Sequence, residues 1–146
     1  MGTSDFLNEC WSNEMVPILN GVIFPDGTRL KVSIEDSGMV VSEKAIWTAE
    51  EVGDNLTYFA ELCRLDSLGL GVTVLAGEGG MGSEGVICVL DRSTCHVKWL
   101  LFMDSSNPFD KVEIDGKTVV AYSTLEKVWQ ISIEDPSQVV IARYAP

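Results

Sequence analysis

A glycine-rich segment over residues 76–85 contains the spacing most often associated with nucleotide binding. Gly77, Gly79 and Gly82 match the G-x-G-x-x-G pattern, whose glycines let the backbone approach a pyrophosphate at the N-terminus of a helix. Here strand-like residues follow the pattern in place of a helix, and the acidic Glu78 would repel a phosphate. We therefore predict no cofactor at this segment, and we interpret it as a loop that could separate two subregions of the chain.

Nucleophilic catalysis would need a serine or cysteine beside a base, and the chain contains a single histidine, His96. Ser83 lacks the first glycine of the G-x-S-x-G turn that exposes a hydrolase serine. His96 could instead activate Cys63 or Cys95, although Cys95 directly precedes it and neighbouring residues of a strand point to opposite faces. The sequence thus predicts no catalytic residue, and an enzyme with an unfamiliar carboxylate or Cys/His site is kept as an alternative.

Metal-binding chemistry has no supporting spacing in this sequence. Zinc sites use Cys and His at short paired intervals, whereas the four cysteines are scattered over residues 10–95. No segment has the alternating acids and glycine of a calcium loop. The 22 acidic residues offer many carboxylate pairs for acid–base catalysis, but sequence alone selects none of them. We predict neither a metal nor another cofactor.

The net charge of the chain is its most unusual property. Lys and Arg number 10 and Asp and Glu number 22, which gives a formal net charge of −12. Such a charge repels nucleic-acid phosphates and anionic membrane surfaces, so we predict no direct binding to nucleic acid or membrane. It favours rapid, electrostatically steered association with a basic protein.

The larger share of this negative charge lies in the first half of the chain, where residues 1–75 contain 12 acids and 4 bases. We predict that acids on and beside one helix form the partner-binding surface. These acids are Glu35, Asp36, Glu43, Glu50, Glu51, Asp54, Glu61 and Asp66. The alternative interpretation is that they are the solvated outer face that any amphipathic helix presents.

The helix itself is predicted from a capping signal and a periodic pattern. Thr48 and Glu51 have the S/T-x-x-E spacing of a capping box, in which each residue satisfies a backbone donor of the first turn. Apolar residues then recur at the helical positions Val52, Leu56, Phe59, Ala60 and Cys63. We predict a helix over about 49–65, which Gly53 weakens slightly.

The remaining apolar residues alternate as in β-strands, with turn residues between them. Pro25-Asp26-Gly27 and Asp115-Gly116 are typical of hairpin turns. Further strands are predicted at 39–41, 45–47, 71–75, 86–91, 95–103, 127–133 and 139–142. The predicted fold class is therefore α+β: an antiparallel β-sheet meander of several hairpins with one principal amphipathic helix, in a single domain over residues 1–146.

Matching apolar residues across two of the turns predicts the hairpin registers. In the hairpin between 86–91 and 95–103, Val86 would oppose Trp99 and share a face with it. In the hairpin about Asp115-Gly116, Val112 would oppose Val119.

Small size, negative charge and the lack of a catalytic motif together favour a protein-binding module. The specific hypothesis is an immunity or inhibitor protein that neutralises a basic partner such as a bacterial nuclease toxin. An adaptor or subunit of a larger assembly is a further alternative, and the oligomeric state is left open. Residues 1–11 do not resemble a signal peptide, and no apolar stretch approaches the roughly 20 residues of a membrane span, so we expect a cytoplasmic protein with reduced thiols.

Overall fold

The structure is a computed structural model, and it describes residues 2–35 and 40–143, apart from the side chain of Val41. Within these ranges the chain forms two helices and thirteen strands. The helices are α1 (Thr3–Ser12) and α2 (Ala49–Val52). The strands are β1 (Met15–Pro17), β2 (Gly21–Ile23), β3 (Thr28–Ile34), β4 (Val40–Ile46), β5 (Leu56–Tyr58), β6 (Ala60–Ser67), β7 (Val72–Glu78), β8 (Gly85–Asp91), β9 (Val97–Met103), β10 (Phe109–Asp115), β11 (Thr118–Ser123), β12 (Lys127–Ser132) and β13 (Val139–Arg143). The predicted antiparallel β-sheet fold is confirmed, although the helices differ from the predicted one.

A seven-stranded antiparallel sheet is the middle layer of this structure. Its strand order is β4-β3-β2-β9-β8-β7-β6, so that β4 and β6 are its edge strands. The strands β7, β8 and β9 are buried over almost their whole length. Continuous apolar runs of this kind are typical of strands that are covered on both faces.

The second sheet, β10-β11-β12-β13, is an antiparallel meander that packs on one face of the seven-stranded sheet. Trp129, Ile131 and Ile133 are buried at alternate positions, as the sequence predicts. The ring of Trp129 meets the ring of Phe109 edge-on, with 5.6 Å between the centroids. Trp99 of the larger sheet donates its indole N–H to the Ile133 carbonyl at 2.9 Å. These contacts join the two sheets around one apolar core.

The opposite face of the seven-stranded sheet is covered by α1, α2 and the two-stranded sheet β1-β5. Leu7 of α1, Val16 of β1 and Val52 of α2 are each at most 3% exposed and pack in one cluster with side chains of the sheet. Trp47 belongs to the same cluster and donates its indole N–H to the Phe24 carbonyl at 2.9 Å. The described part of the chain therefore has three layers, with the large sheet in the middle.

The predicted helix over 49–65 is wrong beyond its first turn. The cap is present, since the Thr48 hydroxyl accepts a hydrogen bond from the Glu51 backbone N–H at 3.0 Å. Gly53 then adopts a φ of 54° and ends the helix, because glycine takes left-handed dihedrals without steric cost. The residues that follow form β5 and β6.

The segment that forms β6 also fits the period of a strand. Cys63 and Leu65 are half-buried, whereas Arg64 and Asp66 between and after them are exposed. The sequence of this segment therefore fits both the two-residue period of a strand and the helical period from which a helix was predicted. Pairing of β6 with β7 along its whole length decides the outcome, because strand formation depends on long-range packing.

Helix α1 has little local sequence signal and is not predicted. Its N-cap is Gly2, which has no side chain to satisfy the first backbone donors. Tertiary contacts hold the helix instead. The Thr3 hydroxyl donates to the Pro25 carbonyl at 2.6 Å, and the Asn8 side chain accepts the Val97 backbone N–H at 2.8 Å.

The β8–β9 hairpin is confirmed, but its register differs from the prediction. Val86 opposes Phe102, and Trp99 opposes Val89. The turn is longer than predicted because the Asp91 carboxylate accepts two backbone N–H groups of the turn. A bulge before Trp99 then places this side chain in a different core from Val86, since one extra residue reverses the alternation of side chains.

The hairpin predicted from Asp115-Gly116 is confirmed with its turn shifted along the chain. The turn begins at Gly116, which has a φ of 61°. Val112 therefore opposes Ala121 rather than Val119. A shift of two residues leaves each side chain on the same face of the sheet, so the alternation is preserved.

The predicted strands at 39–41 and 45–47 are replaced by one strand, β4, which pairs with β3 along its length. Met39 lies outside the described residues. The charged Glu43 and Lys44 occupy the middle of this strand. Charged residues at such positions are common on the edge strands of natural sheets.

The glycine-rich segment is the tip of the β7–β8 hairpin and is shorter than predicted, since β7 extends to Glu78 and β8 begins at Gly85. Gly77 lies against β6, where a Cβ atom would clash with the Ala60 carbonyl oxygen. Glu84 is only 5% exposed, and its carboxylate accepts a backbone N–H of the tip at 3.1 Å. The close approach of β6 and β7 thus explains why position 77 is a glycine.

We expect Gly77→Ala to destabilise the fold by about 1–3 kcal/mol, because the added methyl group has no space between β6 and β7. Gly82→Ala is the matched control, since nothing lies within 4 Å of its Cβ position, and its effect should stay within about 0.5 kcal/mol. Urea unfolding of both variants measures the difference. Equal stability of the two variants would contradict the close approach of these strands.

Candidate functional site

The layer formed by α1, β1, α2 and β5 carries a concentrated negative charge. This acidic layer, residues 3–17 and 49–58, contains six carboxylates and no Lys, Arg or His. The six carboxylates belong to the exposed residues Asp5, Glu9, Glu14, Glu50, Glu51 and Asp54. Because the inner side of the layer packs on the sheet, its outer side presents negative charge to solvent.

The positive charges lie elsewhere in the chain. All ten Lys and Arg residues are outside the acidic layer, beginning with Arg29. Two ion pairs of the described residues, Lys111–Glu113 and Lys117–Glu134, each with 3.2 Å between nitrogen and oxygen, lie on or beside the four-stranded sheet. That sheet therefore mixes both signs of charge, whereas the acidic layer has one sign and produces the stronger field at a distance.

Four of the sequence-predicted partner-binding residues lie in or beside the acidic layer. Glu50 and Glu51 belong to the single turn of α2, and Asp54 follows that turn. Glu61 is in β6 and lines a cleft together with Glu14 of the acidic layer. These residues thus join acids that the sequence did not single out.

Of the other predicted residues, Glu35 and Glu43 lie away from this surface. Glu35 follows β3, and Glu43 lies in β4 opposite Lys31. β4 and β6 are the two edges of the seven-stranded sheet, which puts them roughly 25–30 Å apart at the usual strand spacing. Asp66 is in β6, where its carboxylate accepts a hydroxyl hydrogen bond from β7 at 2.6 Å. Asp36 lies outside the described residues.

Asp5, Glu9 and Glu14 are not among the sequence-predicted residues, because α1 is not predicted. A usable signal is nevertheless present in the composition of this part of the chain. Residues 2–28 contain four acids and no Lys or Arg. Such a segment indicates a region of one charge sign before its structure is known.

A cleft of about 370 Å³ opens at the rim of the acidic layer. This Trp11 cleft is lined by Trp11, Ser12, Glu14, Phe59, Glu61, Leu75, Leu90 and Cys95. The rings of Trp11 and Phe59 have 4.8 Å between their centroids and are tilted by 39°. The Phe59 backbone N–H donates to the Glu14 carbonyl at 2.8 Å, which fixes the aromatic pair beside an acidic residue.

A smaller cleft of about 250 Å³ lies between α1 and the β1-β5 pair. Its lining includes the apolar Phe6, Met15 and Leu56 together with Glu9. Tyr58, which is 71% exposed, lies opposite Met15 on the neighbouring strand. The acidic layer thus combines negative charge with aromatic and Met side chains, residue types that are enriched in protein interfaces.

The four cysteines differ in their access to solvent. Burial holds the pKa of the Cys88 thiol well above its ordinary value, and burial also raises the pKa of Cys10 and that of Cys63 to about 11. These three thiols are therefore protonated and poorly nucleophilic at neutral pH. Cys95 is exposed in the β8–β9 turn, directly before the exposed His96.

No metal centre and no membrane-spanning helix are found in the part of the chain that the structure describes. Within residues 2–35 and 40–143, no three His, Cys, Asp or Glu side chains gather as a set that could hold a metal ion. None of the helices in these ranges is long and apolar enough to span a membrane. Comparison of the chain with protein-family models, with curated proteins and with solved structures gives no match.

We expect Cys95 to be the fast-reacting thiol of the native protein. At about pH 8, an aromatic disulfide reagent should modify about one thiol per chain rapidly, and the others only after denaturant unfolds the chain. Cys95→Ser should remove the fast phase, whereas Cys63→Ser should retain it. A fast phase that persists in Cys95→Ser would contradict the placement of the other thiols.

Proposed function

We propose that this chain is a protein-binding module whose acidic layer docks against a basic protein and neutralises it. The observation that carries the proposal is the acidic layer itself: six exposed carboxylates without a base, next to half-buried aromatic side chains. Charge of one sign accelerates the encounter with a positive surface. Aromatic side chains then supply the close contacts that slow dissociation.

An inhibitor of a nucleic-acid-cutting toxin is the form of this proposal that we favour. An enzyme that acts on nucleic acid needs a positive surface to hold phosphates. A protein that presents carboxylates to that surface would cover it and exclude the substrate. As a bacterial immunity protein acting in the cytoplasm, the chain would protect the cell in which such a toxin is made.

An enzyme with a thiol site is the weaker alternative. The exposed Cys95 favours it, because this residue lines the Trp11 cleft and is followed by His96. An activated cysteine, however, needs positive neighbours that stabilise its thiolate. The acidic residues that share this cleft are Glu14 and Glu61, and its lining includes no Lys, Arg or His that could be such a neighbour. The charge of the cleft suits a cationic ligand.

Capture of the partner, followed by kinetics, tests the proposed function. The immobilised chain should retain a protein of basic isoelectric point, which mass spectrometry identifies. The rate constant for association with the purified partner should fall at least about tenfold between low salt and about 0.5 M salt, because salt screens the steering field. An acidic partner, or an association rate that does not change with salt, would contradict the proposal.

Two triple variants that change the net charge equally test the location of the surface. The first reverses three charges of the acidic layer: Glu9→Lys, Glu50→Lys and Asp54→Lys. The control reverses three exposed charges of the four-stranded sheet: Asp110→Lys, Asp115→Lys and Glu126→Lys. At low salt the first variant should associate at least about tenfold more slowly than the control, with circular dichroism checking that both are folded. Equal slowing in the two variants would contradict docking through the acidic layer.

A further inference from the structure

Trp11 differs from the other three tryptophans in its exposure. Trp47, Trp99 and Trp129 are 1%, 2% and 2% exposed and fill the two cores. Trp11 is half-buried near the C-terminal end of α1 and lines the Trp11 cleft, in contact with Phe59. A partly exposed indole is the strongest aromatic partner for a cation, so this residue has a binding capacity that the core tryptophans lack.

Two carboxylates lie beside this aromatic pair. The exposed Glu14 and Glu61 line the cleft, and its lining residues include no Lys, Arg or His. Helix α1 ends at Ser12 on the cleft wall, and the C-terminal end of a helix carries partial negative charge. Arg64 lies opposite the lining residue Leu75, and the two carboxylates exceed this single positive charge. The cleft therefore favours a cation over an anion.

The remaining wall of the cleft is apolar and selects among cations. Leu75 and Leu90 of β7 and β8 are 5% and 8% exposed. A lysine ammonium is compact and strongly hydrated, whereas an arginine guanidinium is planar, weakly hydrated and able to stack on an aromatic ring while pairing with carboxylates. A volume of about 370 Å³ also accommodates the methylene stem against the leucines.

We infer that the Trp11 cleft binds an arginine side chain of the basic partner, an inference that rests on the proposed function. The guanidinium stacks on Trp11 and pairs with Glu14 or Glu61, and its methylene stem contacts the apolar wall. The other carboxylates of the acidic layer steer the encounter, and the occupied cleft holds the complex. Loss of Trp11 should therefore change the dissociation rate more than the association rate.

Short peptides test the chemistry of the cleft without the partner. The probes are tripeptides blocked at both ends, with Arg, Lys or norleucine between two glycines. Proton–nitrogen correlation NMR follows the indole N–H signals, and loss of one signal in Trp11→Leu identifies that of Trp11. The Arg peptide should shift this signal saturably, with an affinity at least about threefold above that of the Lys peptide. Absence of a saturable shift, or equal shifts with the norleucine peptide, would overturn the inference.

Glu61→Gln and Glu126→Gln form a matched pair for the carboxylate contribution. Glu61 lines the cleft, whereas Glu126 is exposed beside the four-stranded sheet. Affinity for the Arg peptide should fall about two- to fivefold in Glu61→Gln and should not change in Glu126→Gln. Equal losses in both variants would overturn pairing within the cleft, because they would indicate a general effect of net charge.

Measurements with the captured partner separate this inference from the proposed function. Trp11→Leu, once thermal unfolding shows that it is folded, should dissociate from the partner at least about tenfold faster than the parent chain. A partner that dissociates from both at the same rate would overturn the arginine site and leave docking through the acidic layer intact. Saturable binding of the Arg peptide to a chain that captures no basic protein would support the cleft chemistry and refute the proposed function.

Discussion

The rest of this structure depends on the burial of both faces of the seven-stranded sheet. The strands β7, β8 and β9 bury nearly all of their side chains, so the seven-stranded sheet needs an apolar cover on each side. A second sheet covers one face through side chains such as Trp129, and a thin layer of short elements covers the other through side chains such as Leu7 and Val52. The thin layer buries its most apolar residues against the sheet. Its outer side carries polar and aromatic residues, and the charged ones are all acidic.

Six exposed carboxylates lie in the thin layer with no Lys, Arg or His among them, so the fields of these charges add to each other. Next to the same carboxylates, Trp11 and Phe59 are left half-buried, although full burial of such rings would stabilise the fold. Half-buried rings beside exposed carboxylates are expected where residues serve binding more than stability.

Local sequence signals correctly predicted that hairpins form about Asp91–Val97 and Asp115-Gly116 and that Thr48 caps a helical turn, but they did not give the registers of these hairpins. The helix over 49–65 failed because Gly53 ends it and because pairing with β7 overrides a helical spacing. The acids that were predicted to form one surface lie on separate parts of the structure for a similar reason. Pairing between distant strands puts Glu43 and Glu61 on opposite edges of one sheet, and nothing in their local sequence encodes that order.

Hydrogen–deuterium exchange of the chain, alone and bound to the proposed basic partner, tests the role of the acidic layer most directly. If this layer is the docking surface, binding should slow amide exchange in α1 and in residues 13–17 and 49–58, where water loses access to the backbone. The four-stranded sheet should exchange as it does in the free chain. Slower exchange over β10–β13, with α1 and α2 unchanged, would contradict docking through the acidic layer.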